Sequence, residues 1–145
     1  MSEKHEAIAR RVIEEVWNKG KLDVIAELFT PDYVNHDPVN RTKGLEAYKD
    51  FVKKYRDAFP DCRLEIDEVF SAGERVAVRW RYSGTHKGQL EGVPPTGRHV
   101  TGTGISIDHF SGERIREAFT DWDALGLMQQ IGVVTLPGKA SRAGA

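Results

Sequence analysis

The sequence predicts an α+β fold, with N-terminal helices packed in a curved antiparallel sheet around a deep pocket. Three observations predict it. Apolar residues recur at helical spacing up to Phe59. From Arg63 onward they alternate with polar residues in period two. Helices first and a long meander afterwards is an α+β order, unlike the alternating order of a parallel sheet. A sheet curled around the helices leaves a cavity between them.

The first helix is read over His5 to Asn18, from Ile8, Val12, Val16 and Trp17, with Gly20 as its stop. A short second helix lies in KLDVIAELF and ends before Pro31. TPDYVNHDPVN, with two prolines, reads as a turn-rich loop. Gly44 introduces a third helix, in which Leu45, Tyr48, Phe51, Val52, Tyr55 and Phe59 recur at three and four until Pro60. RLEIDEVFSAGERVAVRWRYSGTH is a hairpin turning at Ala72-Gly73-Glu74, with Val76, Val78, Trp80 and Tyr82 on one face. The segment GTHKGQLEGVPPTGRHV then joins two strands. Pro94 and Pro95 cannot extend a ladder, while Gly92 and Gly97 permit backbone angles closed to other residues. HVTGTGISIDHF is a third strand, RIREAFTDWD a fourth, and ALGLMQQIG a closing helical turn. One domain over residues 1–136 is expected, with a disordered small-residue tail over 137–145.

The 145 residues suffice for one domain with a real core. A net charge of -1 argues against a nucleic-acid partner, which requires a concentrated basic face. No apolar run approaches a membrane span of roughly 20 residues, and MSEKHEAIARR has no apolar signal core. With Cys62 as the only cysteine there is no internal disulfide, and a cytoplasmic location is expected. Histidine spacing recommends no zinc site, so no metal is expected, and there is no nucleophile-elbow or phosphate-loop motif.

Four segments together resemble the SnoaL-like polyketide cyclases, a group within the NTF2-like cone fold. They are YVNHDP, FPD at 59–61, GTHKGQLEGVPPTGR and GLMQQIG. The resemblance runs from about residue 6 to about residue 133. The pairing of G-x-P-P-T-G-R with a D-x-L-G-L-x-Q-Q-x-G ending makes it specific. It implies a conical barrel with a deep apolar pocket, a homodimer or homotetramer, and cofactor-free acid/base chemistry on a polyketide or related carbonyl compound. Intramolecular aldol cyclisation is the leading reaction. Dehydration, isomerisation, hydrolysis and ligand binding without turnover are the alternatives on the same fold.

The family's acid position, an aspartate on the last strand, falls here on Thr120, and Asp121 is the next residue. Neighbours on a strand face opposite ways, so only one enters the pocket unless a bulge intervenes. The family register favours Thr120. Alternation from Ile115 and Phe119 favours Asp121. A histidine of the family aligns with Ser106 and a glutamine with Gly104, leaving a face of small residues. Such a face predicts a roomier pocket or a sharply bent strand. The candidate catalytic residues are His36, which titrates near neutral pH, and Asp121. The candidate substrate-binding residues are Asn35, Trp80, His86 at the pocket mouth, Ser106 and Thr120. Asp37 is placed to orient His36 or to make a turn. Ile105 and Ile107, opposite Ser106, are expected against a second chain.

Overall fold

The computed structural model describes residues 2–135 and Pro137. The tail expected over 137–145 lies, Pro137 apart, outside the described residues. Helix α1 (Ser2–Arg11) runs into a π-helical segment, Val12–Asn18, and a short 3-10 turn, Leu22–Val24, leads into α2 (Ile25–Leu28). Then come β1 (Phe29–His36), β2 (Thr42–Lys43) and α3 (Leu45–Ala58). The meander follows as β3 (Arg63–Ala72), β4 (Arg75–Thr85), β5 (His99–Ser111) and β6 (Arg114–Trp122), closed by α4 (Ala124–Gln130). The six strands form one sheet in the order β2-β1-β6-β5-β4-β3.

The helical phases came out as the periodicity demanded. Val12, Ile13 and Val16 bury one stripe of the N-terminal helix, and Tyr48, Phe51 and Val52 bury one stripe of α3. Both stripes face the concave side of the sheet, where Val76, Val78 and Trp80 project from β4. The Asn18 amide fastens the first helix to the sheet. It donates to the Leu64 carbonyl at 2.9 Å and accepts from the Leu64 N–H at 2.7 Å.

The segment around YVNHDP differs from expectation. It is a strand that pairs in parallel with β6, not a loop. Pro31 survives there because the paired register is interrupted between Phe29 and Val34, so the proline replaces no ladder donor. The partner lies some eighty residues away, so local composition carries no trace of the pairing.

A second core cluster closes one end of the sheet, formed by Ala58, Phe59, Leu90, Val100, Leu127 and Ile131. Leu90 anchors the proline-rich crossover in it. A tight turn follows, with mutual Leu90–Val93 backbone bonds of 3.0 and 2.7 Å. Glu91 and Gly92 both take left-handed angles there, φ 48° and 79°. The crossover also caps α3: the N–H groups of Lys87 and Gly88 both bond the Ala58 carbonyl. The glycine- and proline-rich stretch is therefore a rigid strap over the end of α3. The segment from Thr85 to His99 contributes no cavity wall.

Candidate active site

The cavity between helices and sheet has a volume of about 130 Å³. Its walls are rich in aromatic rings, among them Trp17, Phe51 and Tyr55 from the helices and Trp80, Tyr82 and Trp122 from the sheet. Tyr55 and Tyr82 both meet Trp122 edge-on, at 6.0 and 6.1 Å between centroids. Such a box suits a flat, largely apolar ligand.

Glycines of β5 let the aromatic rings lie flat. A Cβ built on Gly104 falls 2.4 Å from the Trp80 ring, and one on Gly102 falls 2.4 Å from the Tyr82 ring. The small residues on this face thus make room for rings, not for extra ligand. The expectation of a widened pocket is corrected on this point.

A row of hydrogen bonds crosses four strands on the cavity floor. The Trp80 indole N–H donates to the Ser106 hydroxyl at 3.1 Å. Ser106 and Thr120 hydroxyls lie 3.2 Å apart, and the Thr120 hydroxyl donates to Asn35 Oδ1 at 3.3 Å. An indole N–H can only donate, so the row runs one way and ends on the amide oxygen of Asn35. Asn35 is 4% exposed and lines the cavity, and its amide nitrogen bonds no described residue. The row therefore presents an oriented N–H donor to whatever fills the cavity. Four of the substrate-binding candidates, Asn35, Trp80, Ser106 and Thr120, meet in this one feature.

The other candidates lie elsewhere. His36 is a correction: it follows inward Asn35 on β1, so alternation turns it to the outer face. There it bonds Glu117 at 2.7 Å and stacks on Phe119 at 4.4 Å. Asp121 is the second correction. It is exposed on the outer face opposite Ile105, while Thr120 points inward. The cause is a bulge: His109 pairs Glu117, yet Phe110 pairs Ile115, so Arg116 is an extra residue on β6. The bulge puts Ile115 and Ala118 on the same buried face, which breaks the alternation that had favoured Asp121. His86 is the third correction. It is fully buried inside the strap, away from the cavity wall. The Thr96 N–H and hydroxyl reach its Nδ1 at 3.2 and 3.0 Å, and burial lowers the imidazole pKa, so the ring is held neutral. Asp37 makes the turn, taking the N–H groups of Val39 and Asn40. Its other oxygen accepts the Trp122 indole at 2.9 Å.

One cavity carboxyl escaped the sequence reading. Asp108 on β5 is 8% exposed, lines the cavity and bonds no described residue. Burial alone pushes its carboxyl from the ordinary 3.8 up to about 7. A signal was present: once Ile105 and Ile107 face outward, Gly104, Ser106 and Asp108 must face inward together. Asp108 and Asn35 both flank Ala118, one strand away on either side. Their backbones are thus roughly 10 Å apart, with only a methyl group between them.

Among the described residues no three or more histidines, cysteines or carboxylates are grouped to hold a metal ion. No described helix is long and apolar enough to cross a membrane.

Comparison with known proteins gives a consistent result. Residues 7–131 match the SnoaL-like polyketide cyclase family. The aklanonic acid methyl ester cyclase AcmA of Streptomyces galilaeus is 32% identical over 136 residues, spanning 91% of this chain and 92% of that protein. The nogalonic acid methyl ester cyclase of Streptomyces nogalater is 30% identical over 122 residues, spanning 80% of this chain and 89% of that protein. A solved SnoaL-like chain from Jannaschia sp. CCS1 superposes with a TM-score of 0.85, covering 92% of this chain and 95% of that one; at 24% identity it speaks for the fold alone. The helices packed on one six-stranded sheet, the aromatic-lined cavity and a match over nearly the whole chain agree: this chain belongs to the SnoaL-like polyketide cyclase family.

Proposed function

We propose that the protein closes a ring in the methyl ester of an aromatic polyketide acid by cofactor-free intramolecular aldol addition. The observation that carries this reading is the row from Trp80 to Asn35, which aims an amide N–H into an aromatic cavity. Aldol closure passes through an enolate and then an alkoxide, and a preorganised donor in a dry site stabilises such charge as it develops. The aromatic walls hold the planar part of the substrate, and the row holds one carbonyl oxygen. Two methyl ester cyclases among the relatives support the ester as substrate class.

The test is incubation with a synthetic aromatic polyketide methyl ester whose ketone lies within ring-closing reach of its ester-activated methylene. The expected product has the substrate's mass and one new ring. Replacement of the methyl ester by the free acid, with methanol released and water taken up, instead marks a hydrolase, and net loss of water marks a dehydratase. Tight binding with no product marks a binding module, the reading that a threonine at the family's acid position favours. Thr120→Val cuts the row, and the expected result is about tenfold weaker substrate binding, the worth of one hydrogen bond.

The reading includes a homodimer or higher assembly built on the outer sheet face. Ile105, Ile107 and Phe119 stand exposed together there, at 49%, 40% and 43%. Three adjacent apolar side chains on a sheet face favour a covering partner. A second copy supplies an equivalent face. Ile107→Asp should convert a sedimenting dimer into monomer. A wild-type protein that sediments as a monomer at micromolar concentration would sink this part of the proposal.

A further inference from the structure

The position that the resemblance assigns to an acid holds Thr120, and that hydroxyl is committed to Asn35 and Ser106. A threonine hydroxyl does not take a carbon-bound proton at neutral pH, so the chemistry needs another group. His36 and Asp121 lie on the far side of the sheet, and both Asp37 oxygens are bonded. Asp108 is the one cavity carboxyl whose oxygens bond nothing among the described residues. It projects from β5, two residues along the same face from Ser106 and across Ala118 from Asn35.

We propose that Asp108 is the catalytic acid/base of this chain, standing on β5 in place of the aspartate that the resemblance puts on β6. The inference rests on the cyclase reading above. The Asp108 carboxylate takes the proton from the methylene between the ester and its activating group. The C–H electron pair becomes an enolate, whose oxygen receives the Asn35 N–H. The enolate carbon bonds the ketone carbon, and the C=O π pair moves onto oxygen as an alkoxide. The alkoxide takes the proton back from Asp108, so no atom leaves and none is added.

The surroundings suit this role. Tyr33 from β1 and Tyr48 from α3 face the same region, and both phenols are raised first by burial and further by Asp108 itself, so they stay neutral. From the N-terminal helix, His5 stacks on Phe110 at 4.1 Å and is engaged with the Gly112 carbonyl at 2.8 Å. Among the described residues no cation pairs with the carboxyl. Burial leaves it balanced between acid and base near neutral pH, as a group that gives and takes the same proton must be.

The experiment uses one probe, methyl 3-oxo-3-(2-naphthyl)propanoate, a flat aromatic β-keto ester. Exchange of its α-proton in D2O is followed by NMR, and its binding by quenching of the cavity tryptophans. The wild-type protein is expected to accelerate exchange, with a rate that rises as pH passes through about 7. Asp108→Asn is expected to bind the probe with near-unchanged affinity and to lose about 100-fold in exchange. Asp108→Glu is expected to recover part of the rate. Should Asp108→Asn fail to fold by circular dichroism, Asp108→Ser carries the same test. Asp108→Asn that exchanges within fivefold of wild type overturns the assignment and leaves the cyclase reading standing. So does a wild-type protein that binds the probe yet leaves exchange at the buffer rate. Asp108-dependent exchange with no ring closure on the polyketide ester keeps the base and sinks the cyclase reading instead.

Discussion

Gly104→Val is expected to destabilise the protein by about 1–3 kcal/mol and to abolish ligand binding. A Cβ at this position falls 2.4 Å from two atoms of the Trp80 ring, well inside any real contact. Replacing a strand glycine normally gains about 0.5–1 kcal/mol of backbone entropy. Here the overpacking cost is larger, because the ring is 92% buried and can yield only by swinging away from Ser106 into the cavity that it lines. If Trp80 moves, its indole leaves Ser106, and the row that orients Asn35 loses its first donor. Denaturant unfolding measures the stability, and tryptophan quenching measures binding. The double variant Gly104→Val, Trp80→Leu should recover much of the stability but not the binding, a coupling of 1 kcal/mol or more by order of magnitude. Additive losses in that cycle would show that the glycine serves some purpose other than seating the ring.

The second large effect is on stability against pH. The folded state holds the Asp108 proton more tightly than the unfolded chain does, since burial raises the carboxyl from 3.8 to about 7. Below about pH 4 both states are protonated and the residue costs nothing through ionisation. Between about pH 4 and 7 the unfolded chain has released the proton and the folded one has not, so stability falls as pH rises. Above about pH 7 the cost is constant, about 4 kcal/mol for a shift of this size. Asp108→Asn has no such ionisation. Its stability relative to wild type should therefore climb by about that amount from pH 4 to pH 8. Denaturant midpoints at a series of pH values read this directly. A difference independent of pH would mean that Asp108 ionises in the native state as it does in water. A carboxyl kept at such a cost, and lost together with turnover, is the stability–activity exchange expected of an active site.

The helices, the hairpin and the inward face of β4 were legible because each depends on a period the chain carries locally. Val76, Val78, Trp80 and Tyr82 share one face whatever surrounds them. The GVPPTGR motif inside the strap and the DALGLMQQIG ending at 123–132 carried the family in the same way. The strap's purpose was less legible. Its prolines and glycines announced rigidity, but Lys87 and Gly88 meet the Ala58 carbonyl only because α3 ends beside them.

The chemistry was the least legible part. Alternation relates one residue's face to its neighbour's, and a single extra residue at Arg116 reverses the relation for everything beyond it. The sequence reading could therefore narrow β6 to Thr120 or Asp121 and go no further. β1 was hidden because a strand through Pro31 exists only by its pairing with β6, and nothing local records a partner so distant. Asp108 shows the same limit in its electrostatics. Its place on β5 was implicit in the outward isoleucines, but its proton affinity comes from burial against residues brought in from β1 and α3. By itself, then, the sequence determined the element types apart from β1, the family and the set of polar residues available to a cavity. The tertiary structure alone decided which of them face it and which carboxyl is held near neutrality, because facing depends on register across strands and proton affinity depends on the water that packing removes.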